Sequence, residues 1–251
     1  MKRKLFFVLS VLAALSLVMT ACAPQPGAQA AAVRVATEAS YPPFEMVNEE
    51  TKALEGFDID LMNAVAEKAG FTVEFINTPF DSVLAGIATC QYDAAISAIT
   101  ITAERAENMG FSAPYINAGQ VTTVRVDETA ITGPGDLAGK VIGVQLSTTG
   151  QIEAEKFEGA TVKPYDTVDL AFLDLANGQV DAVVADYPTT LNYVAQMGDK
   201  IKVTGEVFTD ESYGIAVCKQ NSDLLNKINT ALGELKADGT LAELEQKWLT
   251  E

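Results

Sequence analysis

Strand-length apolar runs alternate with helically spaced apolar residues along most of the chain. Residues 94–99 form an apolar run of strand length, as expected for a parallel strand covered on both faces. Val83, Leu84 and Ile87 recur before it at helical spacing, and residues 71–76 have the composition of a strand. The pattern therefore predicts a strand, a helix and a second strand, which together make one α/β unit.

This α/β unit occurs twice. When Asp93 is aligned with Asp181, DSVLAGIATCQYDAAISA at 81–98 matches DLAFLDLANGQVDAVVAD at 169–186. The apolar helix positions predicted in the second copy are Leu170, Leu173 and Leu175. Two α/β lobes with the carboxyl ends of their strands facing each other would enclose a cleft, the expected place for a small ligand.

Hydroxyl groups and one arginine follow the first repeated strand. Thr100 comes directly after residues 94–99, and Thr102 suits a helix N-cap that places Arg105 one turn into a helix. A guanidinium there can bind a carboxylate through two parallel hydrogen bonds. A solvated helix face is the alternative place for a lone arginine.

An acid, Asp186, comes directly after the second apolar run, as Thr100 comes directly after the first. A carboxylate facing Arg105 across a cleft would suit the zwitterion of an α-amino acid. Asp186 also precedes Tyr187 and Pro188, so a helix N-cap alone would explain it. The sequence is compatible with both roles.

The amino terminus has the features of an export signal. Lys2, Arg3 and Lys4 precede an apolar run at 5–18 that is too short to span a membrane, so residues 1–21 are predicted to be a signal peptide. The small residues before Cys22 resemble the lipobox of bacterial lipoproteins, which implies that Cys22 carries a lipid. Signal cleavage elsewhere, with Cys22 uninvolved, is the alternative.

A tether and an acidic body follow this signal. Residues 22–32 are rich in alanine, proline and glycine, a composition that suits a flexible linker. Of 17 basic residues, three precede the apolar run, which leaves 14 against 34 acidic residues. Such a charge disfavours nucleic acid as a partner.

Residue types and motifs that the sequence lacks exclude several kinds of functional site. The chain has no histidine, which excludes serine–histidine–aspartate hydrolysis and histidine–zinc sites. It also lacks the GxGxxG, P-loop and CxxC patterns of nucleotide-binding and thiol-redox proteins. No metal and no cofactor are expected.

Five segments in a fixed order resemble one protein family. They are VATEASYPPFE at 35–45, GFDIDL at 56–61, ITITAER at 99–105, YGIAV at 213–217 and GTLAELEQKWL at 239–249. From about Val33 to Leu249, the chain resembles the family 3 solute-binding proteins of polar amino acid ABC transporters.

The resemblance implies a type II periplasmic-binding-protein fold, in which two α/β lobes are joined by a two-crossover hinge. Lobe 1 would comprise residues 33–114 and 214–251, and lobe 2 residues 120–208. The hinge crossovers are expected at 115–119 and 209–213, where closure around a ligand would occur.

The function implied is that of the extracytoplasmic binding component of an ABC importer, not an enzyme. Such a component binds a polar amino acid and delivers it to the permease subunits. The chain is expected to be a monomer, held to the cell membrane by its lipid alone and facing the periplasm or cell exterior.

The family pattern also implies roles for the cleft residues. The ligand carboxylate would be bound by Arg105 and the amides of Thr100 and Thr149. The ligand ammonium would be bound by Asp186, the Ala98 carbonyl and the Thr100 hydroxyl.

Side-chain specificity is predicted from five further family positions, which are Glu38, Tyr41, Phe80, Ser97 and Gln145. Tyr41 and Phe80 match the aromatic residues that sandwich the ligand side chain, although core packing is their alternative role. A Glu38 carboxylate beneath that sandwich favours arginine or another cationic amino acid. The Gln145 amide would equally serve glutamine, which is the next choice.

The family's first sheet places YGIAV antiparallel to the strand after Cys90. Cys90 and Cys218 would then meet at one sheet edge, and a disulfide between them is predicted for an exported chain. Two small buried thiols are the alternative.

Two other functions use the same fold. A cyclohexadienyl-dehydratase-like enzyme would need an acid or base beside its substrate, for which Glu38 is the obvious candidate. A ligand-sensing receptor domain would need a fused signalling segment. Zwitterion recognition without turnover accounts for the cleft residues more simply.

Overall fold

The computed structural model describes residues 31–249, whose strands form two five-stranded sheets and two smaller ones. The strands are β1 Val33–Thr37, β2 Ser40–Tyr41, β3 Glu45–Val47, β4 Leu54–Glu55, β5 Val73–Asn77, β6 Ala94–Ala95, β7 Met109–Phe111, β8 Ile116–Ala118, β9 Gln120–Arg125, β10 Val141–Gln145, β11 Thr161–Tyr165, β12 Ala182–Asp186, β13 Ile201–Thr204, β14 Glu211–Tyr213 and β15 Ala216–Cys218. The α-helices are α1 Phe57–Ala69, α2 Phe80–Ala88, α3 Ala103–Asn108, α4 Thr149–Ala154, α5 Val168–Ala176, α6 Tyr187–Met197, α7 Ser222–Asp238 and α8 Thr240–Trp248. The predicted signal peptide and Cys22 lie outside the described residues.

The two large sheets have the same arrangement. Their strand orders are β5-β1-β6-β15-β7 and β11-β10-β12-β9-β13. In each sheet the first three strands are parallel and the fourth is antiparallel to both its neighbours. The first sheet receives its fourth strand from the end of the chain, whereas β9 precedes the other strands of its sheet.

Equivalent hydrogen bonds relate the two repeated units. The Asp93 carboxylate accepts from the Arg34 amide at 2.9 Å, and the Asp181 carboxylate accepts from the Val141 amide at 2.8 Å. Helices α2 and α5 each span nine residues before these aspartates. The sequence repeat is therefore also a structural repeat.

Helix α5 corrects one prediction within this repeat. Leu170 and Leu173 are 42% and 49% exposed, so only Leu175 of the three predicted leucines is buried. The buried face of α5 is formed by Val168, Ala171, Phe172 and Leu175. These positions have the i, i+3, i+4, i+7 spacing of a helix face packed on a sheet.

Strand β6 is shorter than the apolar run that predicts it. Its ladder ends at Ala95, and Ala98 has φ 46°, a left-handed conformation. The Ala98 amide donates to the Asp58 carboxylate at 2.7 Å instead of to a strand. The segment after β6 is therefore a buried turn held by a side chain.

A disulfide joins Cys90 and Cys218, whose Cα atoms are 5.0 Å apart. Cys90 precedes β6, Cys218 ends β15, and the two strands are antiparallel neighbours. Cys90 has φ 57°, and its counterpart in the second unit, Gly178, has φ 71°. The bond links residues 128 positions apart within the first large sheet.

Strands β8 and β14 form a two-stranded ribbon between the large sheets. The chain reaches the second sheet through β8 and returns to the first through β14. Within residues 31–249, no helix is both long enough and apolar enough to cross a membrane.

Candidate functional site

A cavity lies where the carboxyl ends of β1 and β6 face those of β10 and β12. The space between its walls that is not filled by atoms, including any open to solvent, is about 280 Å³. Its lining residues are Glu38, Tyr41, Glu45, Phe80, Ser97, Ala98, Thr100, Arg105, Gln145, Thr148, Thr149 and Asp186. Every residue assigned above to the ligand is among them, whereas Glu45 and Thr148 are additional.

Arg105 reaches from the first sheet's side of the cavity to the second. The Thr102 hydroxyl caps α3 by accepting from the Arg105 amide at 3.1 Å. The guanidinium donates to the Thr100 carbonyl at 2.9 Å and to the Ser147 carbonyl at 3.0 Å. Arg105 is therefore not on a solvated helix face, and its five N–H groups leave further donors for a carboxylate.

Burial and nearby acids act in opposite directions on Arg105. Burial lowers the pKa of its guanidinium, while the Asp186 and Glu211 carboxylates raise it. The guanidinium remains a cation, because the ordinary arginine pKa is above about 12. Its central carbon lies 5.6 Å from the Phe80 ring centroid, so Phe80 packs on Arg105 as well as facing the cavity.

Asp186 lies at the opposite wall, at the end of β12. Its carboxylate accepts from the Tyr41 hydroxyl and from the Gln120 amide, each at 2.5 Å. Asp186 occupies the N-cap position of α6, but its side chain makes no capping hydrogen bond. Capping therefore does not explain this residue, and its carboxylate is directed to the cavity.

Desolvation dominates the electrostatics of Asp186. Burial raises the pKa of its carboxyl to about 7, and the Glu211 charge adds to the increase. The hydrogen bond from Tyr41, the nearby Tyr213 hydroxyl and the Arg105 charge oppose it. A cation placed against Asp186 would favour its ionised form.

Glu38 follows β1 and joins the two sides of the cavity. Its carboxylate accepts from the Ser40 hydroxyl and, at 3.1 Å, from the Gln145 amide of β10. Burial raises its pKa, the bonds from Ser40 and Gln145 lower it, and Asp169 raises it. Gln145 therefore orients the Glu38 carboxylate at the wall of the cavity.

Thr100 and Thr149 meet at Glu211, a residue absent from the predicted site. Both hydroxyls donate to the same Glu211 carboxylate oxygen at 2.8 Å, and Thr209 donates to the other oxygen at 2.8 Å. In this structure the Thr100 hydroxyl thus bonds Glu211. Asp186 and the Ala98 carbonyl remain as candidate partners for an ammonium group.

Two further buried acids were also not predicted, and one of them, Glu45, lines the cavity. Glu45 and Asp58 are fully buried and occur within the segments VATEASYPPFE and GFDIDL, where acids stand beside large apolar residues. An acid flanked by large apolar residues was the sequence feature that could have indicated a buried carboxylate. Among the described residues, no cluster of potential metal ligands is found.

Comparison with known proteins identifies related chains. Residues 33–251 match the family described as bacterial extracellular solute-binding proteins, family 3. ABC transporter arginine-binding protein 1 of Escherichia coli is 36% identical over 230 residues, which cover 88% of this chain and 93% of that protein. The L-cystine-binding protein TcyJ of Escherichia coli is 34% identical over 216 residues, which cover 85% and 81%.

Solved structures agree with these sequence matches. An ancestral arginine-binding protein bound to arginine has a TM-score of 0.85 and 42% identity, covering 88% of this chain and 100% of that chain. An ancestral arginine-binding protein bound to glutamine has a TM-score of 0.83 and 44% identity, covering 88% and 98%. The likeness confirms the predicted two-lobe α/β fold of type II.

Proposed function

Because the chain belongs to the family 3 bacterial extracellular solute-binding proteins, we propose that it binds a polar amino acid for an ABC importer. The amino acid would lie in the cavity between the two large sheets and be delivered from there to permease subunits. The relatives described above are substrate-binding proteins. We propose that this chain likewise binds its amino acid without converting it chemically.

One observation carries this proposal: Arg105 and Asp186, from different sheets, line the same cavity. A guanidinium binds a carboxylate with directional, charge-assisted bonds, and an aspartate binds an ammonium group in the same way. A zwitterion satisfies both, and neither charge is then left buried without a ligand partner.

The ligand we favour is arginine or another cationic amino acid, with glutamine next. Glu38 supports a cation, since a buried carboxylate gains most from a charged donor. Gln145 bonds Glu38 and can itself bond a neutral amide. One relative is described as arginine-binding, and one ancestral structure as bound to glutamine, so both ligands have precedents.

Ligand binding is proposed to close two lobes about the ribbon of β8 and β14. Lobe 1 is assigned to residues 33–114 and 214–251, lobe 2 to 120–208, and the hinge to 115–119 and 209–213. The ribbon supports this assignment, because it carries the chain between the two sheets. Arg105 would stabilise the closed form through its bond to the Ser147 carbonyl.

Replacing Glu38 with glutamine tests ligand choice. We expect Glu38→Gln to weaken arginine binding by roughly 10- to 100-fold, since hydrogen bonds to charged groups contribute about 1.5–3 kcal/mol. Glutamine binding should weaken less. Calorimetric titration of wild type and variant with arginine, lysine, histidine, cystine and glutamine measures both effects.

Glu74→Gln is the matched control, because Glu74 is exposed on β5 of the same sheet and does not line the cavity. Equal losses for arginine and glutamine would remove the case for a cationic ligand. Failure of the wild type to bind any of these amino acids would refute the proposed function.

Anchoring by a lipid on Cys22 is a separate proposal, and Cys22 lies outside the described residues. After expression in an exporting bacterium, the wild type should fractionate with membranes, whereas Cys22→Ser should be released from them. Equal retention of both proteins in the membrane fraction would contradict lipid attachment at this cysteine.

A further inference from the structure

Two acids are packed together at one wall of the cavity: Glu45 of β3, which lines it, and Asp58 of α1, which does not. Both are fully buried, and the Asp58 amide donates at 2.9 Å to the carbonyl of Phe44, the residue next to Glu45. Gly56 permits this approach, because a Cβ atom there would lie 2.2 Å from the Phe44 carbonyl oxygen. The start of α1 is thereby held directly against β3.

The hydrogen bonds around Asp58 favour its ionised form. One of its oxygens, Oδ2, accepts from the Ala98 amide at 2.7 Å and from the Tyr115 hydroxyl at 2.9 Å. Donors to a carboxylate stabilise its ionised form, and Asp58 accepts from two of them whereas Glu45 accepts from Ser97 alone. Asp58 also lies in the first turn of α1, where the helix dipole favours a carboxylate.

The hydrogen bonds around Glu45 leave one of its oxygens for Asp58. Glu45 Oε1 accepts from the Ser97 hydroxyl at 2.9 Å, and the Ser97 oxygen accepts from the Glu38 amide at 3.0 Å. Glu45 Oε2 and Asp58 Oδ1 are buried and have no other hydrogen-bond partner in the described part of the chain. Two ionised oxygens cannot bond each other, but a single proton satisfies both.

We infer that Glu45 and Asp58 share one proton, carried by Glu45, and that this pair positions the turn at Ser97 and Ala98. The pair bonds the Ala98 amide directly through Asp58. Through Ser97 it also holds the backbone of Glu38. It thus acts on both the proposed ammonium subsite and the side-chain subsite, and this effect on ligand binding rests on the proposed function.

The electrostatic surroundings agree with a proton on Glu45. Burial raises the pKa of Glu45 well above its usual range, and the charges of Asp58 and Glu38 raise it further. Burial also raises the pKa of Asp58, to about 7, but the bonds from Ala98, Tyr115 and Glu45 oppose this. The other titratable groups facing the pair are Tyr41 and Tyr115.

The sign of the resulting pH dependence follows from linkage. A carboxyl with a raised pKa holds its proton more tightly in the folded than in the unfolded protein. Its stabilising contribution is complete below the ordinary glutamate pKa of about 4.3 and decreases as pH rises to the folded-state pKa. Replacing Glu45 with glutamine removes this proton but keeps a donor facing Asp58.

Thermal unfolding of the ligand-free protein between about pH 5 and pH 9 tests the shared proton. The Tm of the wild type should fall with pH by at least about 2–4 °C more than that of Glu45→Gln. Asp58→Asn should flatten the profile in the same way, since its amide donates to Glu45 from the other side. Glu67→Gln, which removes an exposed carboxylate from α1, should retain the wild-type profile.

The double variant Glu45→Gln/Asp58→Asn provides a second test. Bonds to Ser97 and Ala98 turn both amide NH₂ groups toward each other, so its loss of Tm should exceed the sum of the single losses. Additive losses, or single-variant profiles parallel to that of the wild type, would overturn the inference. Failure of both single variants to fold would also overturn the inference. In each variant an amide N–H takes the place of the shared proton, so the pair should remain hydrogen-bonded.

Ligand titration separates the positioning role from the proton itself. The arginine affinity of each protein is compared between about pH 6 and about pH 9. The affinity of the wild type should fall over this range, and that of Glu45→Gln should fall less. Equal falls would refute positioning but not the shared proton. Failure of the wild type to bind at any pH concerns only the proposed function, because the unfolding experiments use no ligand.

Discussion

Arg105→Ala should weaken amino acid binding by at least about 30-fold. Removing one partner of a buried, hydrogen-bonded charge pair costs about 2–5 kcal/mol, and each 1.4 kcal/mol is a factor of ten in Kd. The substitution leaves a ligand carboxylate in the cavity beside Asp186 and Glu211 without its cation. Calorimetric titration with arginine, or with the tightest ligand found, measures the loss.

The interlobe bond increases this expected loss. Arg105 donates to the Thr100 carbonyl on one side and to the Ser147 carbonyl on the other. Alanine removes both bonds, so the closed arrangement loses a contact besides the ligand's own partner. Arg105→Lys should be intermediate, because an ammonium group keeps the charge but cannot form the two-pronged contact.

Arg125→Ala is the matched control for the Arg105 substitutions. Arg125 also donates to a backbone carbonyl, that of Val180 at 2.9 Å, but it does not line the cavity. Its removal changes the net charge equally and should leave Kd unchanged. Similar Kd values for Arg105→Ala and Arg125→Ala would contradict a carboxylate site at Arg105.

Local sequence patterns predicted that residues following the repeated apolar runs lie close together. Thr100, Arg105 and Asp186 follow strands whose apolar runs are visible in the sequence, and carboxyl ends of strands meet at one edge of a sheet. Their positions after the apolar runs were therefore enough to predict that they lie close together. The family resemblance added Glu38 and Gln145, which periodicity alone does not mark.

The hydrogen-bonding of the buried acids could not be predicted in the same way. Glu45, Asp58 and Glu211 obtain their partners from segments distant in sequence, such as the bond from Thr149 to Glu211 across 62 positions. Strand β6 ends early for the same reason, because the Ala98 amide donates its hydrogen bond to the distant Asp58 carboxylate. Apolar spacing reports on a helix or strand face, not on which side chain competes for a backbone group.

The disulfide supplies the second large expected effect, on stability and not on affinity. Breaking it by Cys218→Ser should lower the free energy of unfolding by about 2–4 kcal/mol, because the bond limits the unfolded chain over a long loop. For a chain of this size, each kcal/mol lowers Tm by about 2–4 °C. Thermal unfolding with and without reductant measures the effect, and Cys218→Ser should not respond to reductant.

The backbone at Cys90 permits a sharper comparison. Cys90→Ser and Cys90→Gly both remove the disulfide, but φ 57° at Cys90 lies in the left-handed region that glycine adopts without strain. Cys90→Gly should therefore be the more stable of the two, as Gly178 in the second repeat suggests. Neither variant should change Kd substantially, since Cys90 precedes β6 whereas the cavity lies beyond its carboxyl end. Two free thiols in the exported wild type, or a Tm insensitive to reductant, would contradict the predicted stabilisation.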